Sequence, residues 1–544
     1  MTSLLARLSR EGRVRALVLV ASLCAALFPI APHWRAAATT PPGWEYTYNL
    51  TVSPDYMQYR VWARQAASNG PLIENRFTTE ANRPHLFVPF YWFVGSMARW
   101  LGTTPERVYV YLGVPLAFGL AMLLWVTVRR FVSDPVQAWW VYLATLIGGG
   151  IGGHLKIANE LPILREHYVF QRVVGEPLTL NPVFEDYRSH YVVKTLLDTH
   201  FLLIWIVALA GVVLYIEAVR RPTVWRGLAA AALFAASTAL HVYEGVTLLA
   251  IAVAILACVW NAIPNRRASV GVLGLVTIAT VVPLGVLSLL FERSGLPMPP
   301  WRALPILPLT LLLAYPVAWW ALAWGGRDLW RRGRFDDRAL LGWALGCTVV
   351  TLSAPFYPYP DRGTMTMQVP LMILAGLIYF ARWPRLTMRA ALVAILVMGA
   401  TPLWLVARTW RNSGFRSSAT FAFLSPDHQQ IVSALTRAAA ADAVLAADGM
   451  DLLWLAPEFP GRLYAGHFFL TVDYEEKAAR WQAFLNDSLP DRRLAFLRES
   501  GTRYFFVAAE QAPASFASLP GVTVLARGEP GWLFEYRPGL EGQP

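Results

Sequence analysis

Charge is scarce in this chain. Asp, Glu, Lys and Arg make up only 15% of its 544 residues, against 56% hydrophobic residues and a mean hydropathy of +0.41. The high apolar fraction excludes both intrinsic disorder and a set of ordinary soluble domains. Cysteine is scarce too, with 3 residues, which excludes a disulfide-stapled scaffold. Cys24, Cys258 and Cys347 each lie in an apolar run, with no CxxC pair and no His at metal-ligand spacing, so they read as small buried hydrophobes. The stretch after Arg408 holds no GxGxxG loop and no Walker sequence, and no internal repeat of fixed period is visible along the chain. What remains is a polytopic membrane protein.

Apolar runs long enough to approach a spanning helix of about 20 residues occur near 16 to 33, 108 to 128, 136 to 153, 198 to 217, 226 to 241, 244 to 263, 269 to 291, 304 to 324, 339 to 355, 368 to 381 and 390 to 407. The expectation is therefore about 11 transmembrane helices. Basic residues outnumber acidic ones, 47 to 35, and nearly all are Arg. Such an excess suits either nucleic acid or cytoplasmic loops, and its distribution decides. Alternate loops are the basic ones: Arg7 to Arg15, Arg129-Arg130, Arg220-Arg221 with Arg226, Arg266-Arg267, Arg327 to Arg338, and Arg382 to Arg389. This register places the N-terminus in the cytoplasm and all that follows residue 408 outside, and it removes the case for a nucleic-acid partner. The first apolar run reads as a retained anchor, with a cleaved signal as the other reading.

Two outer loops are long, about 34 to 107 and 154 to 197, and long loops tend to carry function. Beyond Arg408 the charges spread evenly and the apolar runs shorten. The expected architecture is an α-helical polytopic transmembrane domain over 1–408, followed by a soluble outer α/β domain over 409–544. In that domain Ser425-Pro426-Asp427 opens a helix, Ala443 to Ala447 is a strand, helices follow near 473 to 487 and 490 to 500, and strands at 503 to 508, 521 to 526 and 532 to 536.

Candidate chemistry concentrates in the outer loops. The first holds Ser53-Pro54-Asp55-Tyr56-Met57-Gln58-Tyr59, then Asn75 to Glu80, Arg83 and His85. A carboxylate such as Asp55 can serve as general base toward a hydroxyl acceptor when its surroundings tune it. The same Ser-Pro-Asp is also a helix start, with Ser as cap, Pro in the first turn and Asp favoured by the helix dipole. Asp186, Lys194 and His200 sit in or at the end of the second loop, either as functional groups at a helix mouth or as an interfacial salt-bridge cluster. His241-Val242-Tyr243-Glu244 marks the outer turn of a helical hairpin. Arg362, in a proline-dense stretch, suits a phosphate clamp or a snorkelling interfacial position.

Taken together these features resemble the GT-C superfamily of membrane glycosyltransferases, and within it a largely uncharacterised bacterial group, over most of the chain. The resemblance rests on Asp55 early in the first outer loop, Asn75 to Glu80, Thr199-His200-Phe201, His241 to Glu244, Arg362 with Pro370, and Arg462 to His467 with Thr471, Asp473 and Lys477. It departs from the pattern at Thr199, where Pro is expected, and at Asp361, where a second Arg is expected. The resemblance implies an inner-membrane transferase with a polyprenyl-phosphate sugar donor, a hexose or pentose to transfer, and a glycan, lipid or protein acceptor at the periplasmic face. It implies Asp55 as catalytic base. Tyr56, Tyr59, Glu80, Arg83, His85, Asp186, Lys194, His200, His241, Glu244, Arg362, His467 and Lys477 are the candidate substrate contacts. No cofactor is implied with certainty, and no carboxylate set stands at metal-ligand spacing. The rival classes are a lipid-linked sugar flippase or carrier, and a non-catalytic scaffold of the same fold.

Overall fold

The computed structural model describes residues 9–50, 53–150, 192–294, 296, 311–312, 314–353, 356, 360–382, 397, 399, 404–416 and 420–539. The chain forms two compact units. One takes in Met1–Ala31, Tyr111–Gly285 and Trp301–Arg411, the other Pro32–Val110, Val286–Pro300 and Asn412–Pro544.

In the first unit the apolar runs are helices, among them Arg10–Leu27, Pro135–Ile147, Thr199–Arg220, Val224–Leu240, Val242–Val259, Phe335–Thr351 and Gln368–Arg382, together with most of Pro105–Phe131 and Arg266–Glu292. Their starts follow local chemistry. Asp134 Oδ1 accepts the Val136 and Gln137 amides at 2.9 and 2.8 Å, and Asp198 Oδ1 accepts the His200 amide at 3.1 Å. Trp205, Tyr142, Tyr215 and Trp343 are fully buried in one continuous apolar core. Among the described residues four helices are long and apolar enough to cross a membrane, or five if the bent pair Arg10–Leu27 and Ala31–Thr39 is one span. Val224–Leu240 and Gln368–Arg382 are apolar but shorter, and the run at 390 to 407 falls largely outside the described residues.

The ionic groups of this unit gather at helix ends. Arg130 pairs with Glu217 and, at 3.1 Å, with Asp336; Arg220 lies 3.4 Å from the same Asp336, and Arg10 lies 3.8 Å from Asp134. Arg130 and Arg220, two of the arginines in the alternating basic loops, thus meet at one end of the helices Pro105–Phe131, Thr199–Arg220 and Phe335–Thr351.

Among the described residues the second unit contains nine short strands. β1 (Glu45–Tyr46) pairs antiparallel with β4 (Phe423–Leu424), and β2 (Leu72–Ile73) with β3 (Leu86–Phe87). β5 (Val444–Ala446), β6 (Arg462–Leu463), β7 (Thr502–Ala508), β8 (Val522–Gly528) and β9 (Gly531–Tyr536) form one sheet in the order β6-β5-β7-β9-β8. β5 runs parallel to β6 and β7, while β9 is antiparallel to β7 and β8. The run Tyr504 to Ala508 is apolar throughout because both faces of β7 are covered. Tyr504 and Phe506 face a cluster with Ile431, Leu435 and Leu452, whereas Phe505 and Val507 face Trp481, Phe484 and Leu497.

Met57 and Val61 belong to the first of these clusters. They stand four residues apart on one side of the helix Pro54–Asn69, so that helix is held by the core of the C-terminal sheet. Burying two such side chains contributes roughly 1.5–3 kcal/mol each. A polar brace reinforces it: Arg60 donates to Glu106 at 3.2 Å and to the Leu453 carbonyl at 3.1 Å, and Arg64 donates to Glu106 at 2.8 Å.

Candidate functional site

In the second unit, Ser53 caps the helix Pro54–Asn69 by accepting the Asp55 amide at 3.2 Å, with Pro54 at its first position. Asp55 is therefore a helix-start residue, and its side chain does more. Its Oδ1 lies 3.2 Å from Nε2 of His467, 412 residues away in sequence. The imidazole is 1% exposed and the carboxylate 42% exposed, so the pair presents a carboxylate to solvent from a buried support. Nδ1 of His467 accepts the Phe469 amide at 3.2 Å, and the ring stacks on Phe468 with centroids 4.7 Å apart.

The approach of these two segments is local in origin. Residues 75–78 run beside residues 463–472: the Leu463 amide donates to Arg76 O at 2.7 Å, Asn75 Nδ2 to Leu470 O at 2.7 Å and the Val472 amide to Thr78 Oγ1 at 3.1 Å. Gly466 permits this, because a Cβ there would meet Leu463 Cδ1 at 2.7 Å and Phe77 Cδ1 at 3.0 Å. Thr471 bridges the segments, accepting the His467 amide at 3.0 Å and donating to Phe77 O. Lys477 then donates to Glu80 Oε1 at 2.6 Å and to Thr79 Oγ1 at 3.0 Å, and Thr78 also donates to Glu80. Burial pushes the Glu80 carboxyl up, but Lys477 and Thr78 hold it below the ordinary carboxylate range.

The other candidates of the first loop surround this cluster less directly. Tyr59 stacks on Tyr91 with centroids 4.9 Å apart, and Tyr56 stands edge-on to Tyr109. Arg83 is exposed. His85 is buried, its ring edge-on to Phe291 and its Nδ1 2.7 Å from Arg83 O, and burial holds its imidazole below the usual histidine range.

The first unit assembles a second group. His241 joins the helices Val224–Leu240 and Val242–Val259, and its Nδ1 lies 3.7 Å from Glu244 Oε1. Arg362 Nε lies 3.9 Å from that same oxygen, with its guanidinium 5.2 Å from the Phe201 ring centre. The rings of His200 and His241 are 6.0 Å apart. Gly363 seats this turn, since any Cβ there would collide with Thr351 and the Cys347 carbonyl. A planar guanidinium beside imidazoles is a donor set suited to a phosphate. Lys194 lies on the short helix Val192–Thr195, just before the Asp198 cap. Asp186 lies outside the described residues.

Sequence reading overlooked the Arg60, Arg64 and Glu106 brace. Its one readable signal was the four-residue spacing of Arg60 and Arg64, which puts both on one helix face. Among the described residues no group of three or more His, Cys, Asp or Glu side chains is placed to hold a metal ion.

The fold resembles that of solved structures that include an oligosaccharyltransferase and an arabinofuranosyltransferase. The structure is similar to the apo oligosaccharyltransferase of Archaeoglobus fulgidus, with a TM-score of 0.55 at 11% identity over 93% of this chain and 70% of that one. It is similar to apo ArnT of Cupriavidus metallidurans, with a TM-score of 0.51 at 12% identity over 95% and 98% of the two chains. It is also similar to the arabinofuranosyltransferase AftD from Mycobacteria, with a TM-score of 0.55 at 12% identity over 99% of this chain and 40% of that one. No protein-family model and no curated protein matches the sequence.

Proposed function

We propose that the chain is an integral membrane glycosyltransferase that moves a hexosyl or pentosyl group from a polyprenyl-phosphate donor to an acceptor hydroxyl at the outer face of a bacterial inner membrane. The observation that carries this reading is the Asp55 carboxylate, held on one oxygen by His467 and open to solvent, within a fold shared with glycosyl- and oligosaccharyltransferases. Asp55 takes the acceptor proton as the acceptor oxygen attacks the anomeric carbon. The bond from that carbon to the phosphate oxygen breaks, the lipid phosphate leaves with the electron pair, and a single displacement inverts the anomeric centre. Charge-assisted donors stabilise the departing phosphate, and Arg362, Lys194 and His200 are assigned that part. Glu80 and Lys477 are assigned to acceptor hydroxyls. The alternation of basic loops supports an N-terminus inside, a C-terminal domain outside and an odd number of crossings, about eleven.

A carrier of lipid-linked sugars predicts ionisable groups along the middle of its helices. In the first unit the ion pairs Arg130–Asp336 and Arg220–Asp336 sit at helix ends, and the His241, Glu244 and Arg362 group sits at a hairpin turn. The reading is tested by mass spectrometry of surface glycans and polyprenyl-phosphate sugars in a deletion strain complemented with wild type or Asp55→Asn at matched expression. Wild type is expected to restore the missing sugar, while Asp55→Asn leaves the donor lipid accumulated. Equal restoration by both sinks the reading and favours the scaffold.

A further inference from the structure

We infer that His467 is the positioning residue of the Asp55 site, acting as the neutral Nε2–H tautomer that donates to Asp55 Oδ1 and leaves Oδ2 to take the acceptor proton. The inference rests on the reading of Asp55 as general base.

The hydrogen-bond pattern assigns the tautomer. The Phe469 amide donates to Nδ1, so that nitrogen carries the lone pair, and the proton of the neutral ring is on Nε2, the atom facing Asp55. The ring plane is fixed from several sides: Phe77 stands edge-on with centroids 5.8 Å apart, Phe468 stacks at 19°, and the His467 amide is tied to Thr471 Oγ1 at 3.0 Å. Among the described residues, Asp55 has no comparable restraint of its own. It sits in the first turn of a helix, half-exposed, and a carboxylate there rotates about two side-chain bonds unless a partner holds one oxygen. A buried imidazole aimed at it supplies that restraint, as a supporting group must if a catalytic group is to keep its angle. The C-terminal segment 464–477 is thereby part of the site.

Two substitutions separate this role from loop stability. Asn at position 467 keeps an oxygen where Nδ1 accepted the Phe469 amide but does not reach Asp55. Gln places an amide N–H near the position of Nε2. Membranes of a deletion strain serve as the source of donor and acceptor, and the initial loss of polyprenyl-phosphate sugar after adding purified full-length protein gives the rate. We expect Asp55→Asn to be slower by about 100-fold or more, and His467→Asn by about 10- to 100-fold, at unchanged thermal melting. His467→Gln should return to within about fivefold of wild type, because the donor is restored. His467→Asn at the wild-type rate, or His467→Gln as slow as His467→Asn, overturns the positioning role while Asp55 stands. Asp55→Asn at the wild-type rate overturns the base itself. Should the variants fold poorly, nitrogen NMR of histidine-labelled wild type decides: an Nε2–H pattern for His467 is expected, and an Nδ1–H pattern overturns the inference.

Discussion

At the scale of single residues, Asp55 shows how one residue serves two readings at once. Its amide completes the Ser53 cap while its carboxylate meets His467. The cap was legible because Ser-Pro-Asp is a local signal. The contact with His467 was not, because no local pattern reports a partner 412 residues away. Glu80 and Lys477 form a comparable pair, one reachable by titration. The Glu80 carboxyl is held low in the folded protein, so its contribution to stability is present above the unfolded carboxylate value and is lost as pH falls through the folded one. Lys477→Met should therefore cost on the order of 0.5–1 kcal/mol near pH 7, small because Glu80 is part exposed. That cost should shrink below about pH 4. Denaturant melts of the two proteins at both pH values check this, and a cost independent of pH contradicts it.

At the scale of elements, the long strands and helices of the C-terminal sheet were readable from apolar runs and turn residues. The expected strands at 503 to 508 and 532 to 536 appear as Thr502–Ala508 and Gly531–Tyr536, and the helix expected at 473 to 487 spans Tyr474–Asn486. Two-residue strands such as Arg462–Leu463 were not readable, since they exist only through pairing with a distant partner. The same holds for the packing of Pro54–Asn69 against Pro89–Leu101. Gly95 brings these two helices together, and a Cβ there would collide with the Ala63 carbonyl and lie 2.7 Å from the Ala67 nitrogen. Backbone atoms cannot swing aside as a side chain does. Gly95→Ala is expected to destabilise this unit by about 1–3 kcal/mol through overpacking and to slow transfer by shifting the helix that carries Asp55. An unchanged melting temperature together with an unchanged rate would contradict this account of the helix pair.

At the scale of the whole molecule, composition pointed to a polytopic membrane protein, and the alternating arginines carry the expectation of its sidedness. Arg130, Glu217, Arg220 and Asp336 form an ion network at helix ends within the first unit. The association of residues 32–110 with the C-terminal sheet was hidden, because the Met57 and Val61 side chains that drive it look like any apolar pair on a helix. What joins the scales is one claim, that Asp55 drives sugar transfer from a lipid phosphate. The most direct measurement reconstitutes full-length wild type and Asp55→Asn in liposomes with polyprenyl-phosphate sugars and acceptor extracted from the deletion strain. Mass spectrometry then follows the release of free polyprenyl phosphate and the gain of sugar on the acceptor. The account predicts equal molar release and gain with wild type, and a rate lower by about 100-fold or more with Asp55→Asn. Equal rates for the two proteins, or lipid-linked sugar that changes leaflet without losing its sugar, would contradict it.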